Sequence, residues 1–337
     1  MKCPYQIVTL CAFILGCGAA SSAIAAGLTG VAKDALAKDA VCTRCHNESW
    51  PSTVLSIYQT RHGNKADSRT PGCQDCHGPS DAHLKSPVNS VDVFFGAIKP
   101  GALISETWPK TPSSAEARSA ACLTCHESAV LPRTHWAGSQ HESRGVTCTN
   151  CHDIHSPNMK VLAKATQAEV CFTCHKTERA QIYRISSHPL ASGALGAGPL
   201  GAGKMTCTDC HNPHGSTGPK LLVKESVNET CYTCHAERRG PFLWEHGPVV
   251  DDCTNCHTPH DSSTEPLLKA RLPWLCQRCH ATAGHASDAY SAANLPRGQP
   301  GANALSGPKA QLMLRSCTNC HSQIHGSNHP SGARFAR

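Results

Sequence analysis

Apolar residues are concentrated at one end of this chain. Tyr5 to Gly16 is a mostly apolar run, preceded by Lys2 and followed by small residues with an Ala-x-Ala site at Ala23-Ile24-Ala25. That order is the pattern of a secretory signal peptide, so residues 1–25 are expected to be cleaved off. The run is too short to read as a membrane span. Ile14-Leu15-Gly16-Cys17 also resembles a bacterial lipoprotein cleavage site, which would leave Cys17 as a lipid anchor; cleavage near Ala25 is preferred. Beyond residue 25 no apolar run has the length of a transmembrane helix. The elements that the pattern does predict are short. Thr166-x-x-Glu169 and Ser226-x-x-Glu229 read as capping boxes, each opening a helix five residues before a cysteine. Val91 to Ile98 is the best strand candidate, in a surface hairpin, and the Gly/Ala-rich stretch Ala191 to Gly203 reads as a flexible loop.

Composition removes the option of an ordinary apolar core. Aromatic residues are 5% of the 337, whereas Cys (23), His (22), Gly (26) and Pro (23) are abundant. Something other than Leu, Ile and Phe must fill the interior.

Cleavage takes Cys3 and Cys11 away, and Cys17 leaves with them or carries the lipid. Every one of the twenty remaining cysteines falls in a C-x-x-C-H motif. The pairs are Cys42 and Cys45, Cys73 and Cys76, Cys122 and Cys125, Cys148 and Cys151, Cys171 and Cys174, Cys207 and Cys210, Cys231 and Cys234, Cys253 and Cys256, Cys276 and Cys279, and Cys317 and Cys320. His46, His77, His126, His152, His175, His211, His235, His257, His280 and His321 close them. Chance at this composition gives about 0.1 such motifs, so ten exclude coincidence. Cysteines at i and i+3 can bond through thioethers to the two vinyl groups of one haem. The histidine at i+4 lies on the same face of a helical turn and reaches the iron. Zinc sites need a second cysteine pair and no fixed histidine, and disulfides impose no such spacing. Ten covalent haems c are expected.

Twelve histidines lie outside the motifs, and their order is regular. His62 and His83 flank the second motif, His141 and His155 the fourth, His188 and His214 the sixth, His246 and His260 the eighth, and His285 and His325 the tenth. The repeat is a pair of haems with two spare histidines, occurring five times, over about 42–83, 122–155, 171–214, 231–260 and 276–325. Ten spare histidines for ten irons imply bis-histidine coordination. After cleavage only Met159, Met205 and Met313 remain, too few for general His/Met ligation. Irons closed on both faces are low-spin, comparatively low in potential and without a vacancy for substrate, which favours electron transfer over catalysis. His135 and His329 are left over, with His325 ahead of His329 as ligand because it sits in a His-Gly-Ser string like His214.

The formal charge is +7, or +6 once Lys2 is lost. Scattered basic residues and sparse aromatics speak against nucleic acid. Twenty propionates at about −20 and ten ferric irons at about +10 make the holoprotein acidic, with Lys and Arg as counter-charges. One haem per thirty residues or so lets porphyrin faces form the core, among short helices, irregular loops and little sheet. Such dense packing leaves short gaps between haems, and a continuous wire follows.

Ser226 to Val249 (SVNETCYTCHAERRGPFLWEHGPV) and Ser316 to Gly332 (SCTNCHSQIHGSNHPSG), with the ten motifs and the chain length, resemble the periplasmic decahaem cytochromes of the MtrA/DmsE/MtoA family. The resemblance runs from about Val41 to the C-terminus, and the stretch after His188 looks like an insertion. It implies bis-histidine haems in a linear chain, plugged into an outer-membrane β-barrel porin. Electrons would cross the outer membrane between periplasmic or inner-membrane-anchored cytochromes and an extracellular multihaem cytochrome or mineral. Two directions stay open: outward to metal oxides or sulfoxides, and inward from extracellular Fe(II). A soluble periplasmic shuttle or electron store is the alternative, and a multihaem reductase the third reading.

Overall fold

The computed structural model describes residues 36–48, 54–64, 70–87, 89–96, 111–127, 135–190, 205–280 and 316–335. The signal peptide, Cys17, His285 and the Ala191 to Gly203 stretch lie outside these residues. The protein is mostly irregular backbone punctuated by short helices, with one two-stranded sheet among the described residues. Helices cluster at the motifs. Ala115–His126 ends on the third motif, Lys164–Cys171 and Val227–Tyr232 run into the fifth and seventh, and Trp274–Gln277 enters the ninth. No described helix is long and apolar enough to cross a membrane.

Ser226 caps its helix as predicted, accepting from the Glu229 N–H at 3.1 Å, but Glu229 does not reciprocate and instead pairs with Arg239. The Thr166 prediction is corrected. That helix begins at Lys164, and the Thr166 hydroxyl, inside the first turn, donates to the Lys160 carbonyl at 2.7 Å. The strand expected from Val91 is also absent over its described part, residues 91–96. The Val93 N–H donates to the His77 carbonyl at 3.2 Å and the Ser113 N–H to the Phe94 carbonyl at 2.8 Å, so the segment wraps a motif instead of pairing with a strand.

The chain forms two compact units. One holds residues 1–131 and 144–159 with the first four motifs; the other holds 132–143 and 160–337 with the remaining six. In the second unit, β1 (Ser186–Ser187) pairs antiparallel with β2 (Asp261–Ser262), and Arg184 Nε meets Asp261 at 3.0 Å beside them.

Buried side chains are mainly polar. Trp136, Ala168, Phe172, Leu268 and Leu275 are the buried apolar residues among those described, against thirteen polar ones that include Asp39, Thr147, Gln167 and Asn228. Several of the polar ones are ties between motifs. Asp39 accepts from the Cys73 N–H (3.0 Å), Gln167 from the Thr208 N–H (3.2 Å) and Asn228 from the Cys253 N–H (2.8 Å). Each therefore sits three or four residues before an odd-numbered motif and binds the start of the next even-numbered one.

Candidate haem sites

Each motif folds as one helical turn. In the eight motifs whose closing histidine lies outside a regular helix, its N–H returns to the carbonyl of the first cysteine at 2.8–3.1 Å. Both sulfurs and the imidazole thereby share a face, as thioether attachment requires. The second, fourth and sixth motifs brace their own first turn: the Gly72, Thr147 and Thr206 N–H groups donate to Asp75, Asn150 and Asp209, each at 2.7 Å. The leading sulfurs also meet. Cys42 hydrogen-bonds Cys73, Cys171 bonds Cys207, Cys231 bonds Cys253, and Cys276 bonds Cys317. In these four motif pairs the attachment points of two haems would be neighbours.

The spare histidines come to the motif histidines in facing pairs. Ring centroids are 6.1 Å apart for His46 and His83, 5.9 Å for His62 and His126, 6.3 Å for His77 and His155, and 6.2 Å for His141 and His175. They are 6.4 Å for His188 and His235, 6.0 Å for His211 and His260, 6.1 Å for His246 and His280, and 6.2 Å for His257 and His325. Two imidazole nitrogens at about 2 Å from one iron, each about 1.2 Å from its ring centre, put the centroids about 6.3 Å apart. The observed spacings fit haem iron held between two histidines. Among the described residues no group of three or more metal-binding side chains gathers to hold a bare ion.

Half of these sixteen rings are aimed by a second bond from Nδ1 to a backbone carbonyl, which leaves Nε2 for the metal. His77 donates to Val93, His211 to Lys220 and His257 to Pro266, each at 3.0 Å. His83 donates to Asn89 at 2.7 Å and His155 to Val54 at 3.0 Å. Three sites differ. His152 Nδ1 lies 3.2 Å from the Met159 sulfur, His175 and His235 each have a carboxylate at 3.8 Å (Glu178 and Glu237), and His325 faces the Arg238 guanidinium at 3.5 Å. Burial holds His46, His77, His257, His260 and His325 below the ordinary imidazole pKa, which keeps them neutral and ready to bind metal.

The two leftover histidines are placed differently. His329 Nδ1 accepts from the Ser331 N–H at 3.2 Å, and its carbonyl accepts from Trp244 Nε1 at 3.1 Å. Gly326, at φ +134° with the Phe242 ring against it, makes the turn beside His325 that no side chain would allow. The His135 backbone packs under Gly215, and its ring meets no motif histidine among the described residues. His214 lies 6.4 Å from the Trp136 ring. The ties made by Asp39, Gln167 and Asn228 escaped the sequence reading; their signal is a polar residue one turn before an odd-numbered motif.

The sequence profile of the doubled CXXCH motif matches residues 198–240 and 246–285, and that of NrfB-like c-type cytochromes matches 73–174. The multiheme cytochrome MtrA of Shewanella baltica (strain OS185) is 43% identical over 300 residues, 88% of this chain and 80% of the relative. The cytochrome c-type protein NrfB of Escherichia coli O6:H1 is 25% identical over 42% of this chain and 67% of its own. A probable tetraheme cytochrome of Nitrosomonas europaea is 28% identical over 35% and 57%. With paired C-x-x-C-H turns, facing histidines and that identity across most of both chains, the protein belongs to the MtrA family of multihaem c-type cytochromes, which bind haem c and transfer electrons.

Proposed function

We propose that the protein carries ten haems c in five pairs and conducts electrons across the outer membrane from within a β-barrel porin. The observation that carries the conduit is the chain of facing histidines. His62, His141, His188 and His246 each reach forward to the next motif pair, whereas His155, His260 and His325 reach back to the pair before. Within each compact unit, neighbouring motif pairs are thereby held together, which suits electron tunnelling from one to the next. His214 and His285 complete the ten distal ligands. Haem held there would supply one-electron exchange between ferrous and ferric iron, and a histidine on each side of the iron would leave no place for substrate, so the protein acts as a carrier and not as a reductase.

In this reading the chain is exported to the periplasm and meets periplasmic or inner-membrane-anchored cytochromes at one end. At the other it meets an extracellular multihaem cytochrome or a mineral, in iron or other metal redox chemistry. No nucleic-acid role is assigned. Purification from detergent-solubilised outer membranes tests the location: the cytochrome should come down with a β-barrel protein. Recovery only in the soluble fraction would replace the conduit with a periplasmic shuttle or electron store.

A further inference from the structure

Two adjacent residues after the seventh motif carry opposite charges to two different haem sites. Glu237 Oε1 lies 3.8 Å from Nδ1 of His235, the histidine of the seventh motif. Arg238 Nη1 lies 3.5 Å from Nδ1 of His325, which faces His257 of the eighth motif. The same Glu237 oxygen meets Arg238 Nε at 3.3 Å, so the two charges form one ion pair with a fixed sense. Its backbone is anchored on both sides: Arg239 pairs with Glu229, and Asn228 binds the Cys253 N–H at 2.8 Å. The sulfurs of Cys231 and Cys253 touch, so the two sites are neighbours along the chain.

We propose that Glu237 and Arg238 polarise this electron step, holding the haem of the seventh motif at lower potential than that of the eighth. With Nε2 on the iron, Nδ1 of each histidine carries its hydrogen. A carboxylate facing that N–H draws the hydrogen and makes the ligand a stronger donor, which favours ferric iron. A guanidinium facing an N–H cannot bond to it; its charge disfavours the extra positive charge of ferric iron and favours ferrous. One electron passing from the His235 site to the His257 site oxidises one ferrous iron, reduces one ferric iron and needs no proton. That direction runs downhill. Both side chains are about half exposed, 59% for Glu237 and 50% for Arg238, so the bias is modest and screened by salt.

The proposal rests on the histidine pairing above, which is judged separately by haem content and low-spin spectra. The test is a redox titration of the full holocytochrome followed by electron paramagnetic resonance. The His257 and His325 planes are 16° apart and those of His188 and His235 are 45° apart, so the two haems fall in different signal classes. Arg238→Gln should lower the potential of one near-parallel haem, whereas Arg238→Lys keeps it near wild type. Glu237→Gln should raise that of one tilted haem, and added salt should shrink both shifts. Unmoved potentials in both Gln variants, shifts of one sign in both, or conversion of the Arg238→Gln haem to high spin would overturn it.

Discussion

His246 donates from Nδ1 to the Ile324 carbonyl at 3.0 Å, and the residue after that carbonyl is His325. His246 faces forward to His280, and His325 faces back to His257. The two histidines thus exchange places between neighbouring motif pairs, and the bond holds the exchange. It recurs from His188 to the Pro259 carbonyl before His260 (2.5 Å) and from His141 to the Pro213 carbonyl before His214 (2.9 Å).

Substituting one member of an exchange should open one iron and leave its neighbour closed. His325→Ala converts the haem of His257 to high spin, and His246→Ala does the same at His280. His329→Ala and His135→Ala leave every haem low-spin. Cyanide binding and magnetic resonance check this, and cyanide uptake by the His329 variant would reverse the assignment.

Asn228 makes three hydrogen bonds from a buried position, one from the Cys253 N–H and two to the Val249 and Val250 carbonyls at 2.9 Å. Asn228→Ala strands those groups and should cost about 2–4 kcal/mol of stability. Denaturant unfolding of the holoprotein measures it, with haem content unchanged. A loss within about 0.5 kcal/mol would remove Asn228 from the ties between motifs.

Met159 lies on the Nδ1 side of His152, where its sulfur can act on the imidazole but not on an iron bound through Nε2. Met159→Leu should therefore retain all haems in the low-spin state. A thioether-to-iron charge-transfer band in the wild-type spectrum that vanished in the variant would show Met159 to be an axial ligand.

Ser226→Ala should cost about 1 kcal/mol through its lost cap. Thr166→Ala loses instead the hydroxyl bond to Lys160, at about 0.5–1.5 kcal/mol. Paired thermal unfolding distinguishes the two: restoration by Asn is expected at Ser226 and not at Thr166.

These two threonine and serine positions mark where the chain was legible. Local chemistry was readable wherever a residue's partner lies within a turn or two, as in the C-x-x-C-H turns and the Ser226 cap. Thr166 misled because the helix had already started at Lys164, and the same side chain can bond backward as well as cap. Val91 to Ile98 has strand chemistry but found a motif loop where a strand partner was needed. The set of spare histidines could be counted, yet their pairing could not: His77 and His155 are 78 positions apart, and only the folded path brings them together.

The first iron site breaks the pattern of exchange. His46 faces His83, which flanks the second motif of its own pair, whereas the other seven facing pairs among the described residues join histidines of neighbouring motif pairs. A protein built this way can grow by duplicating a whole pair in the middle of the array, because the new pair inherits both an outgoing and an incoming histidine. Adding a pair ahead of the first would oblige His83 to change allegiance. In this array an added pair would therefore fit the interior more readily than the front, where His83 is already committed to His46.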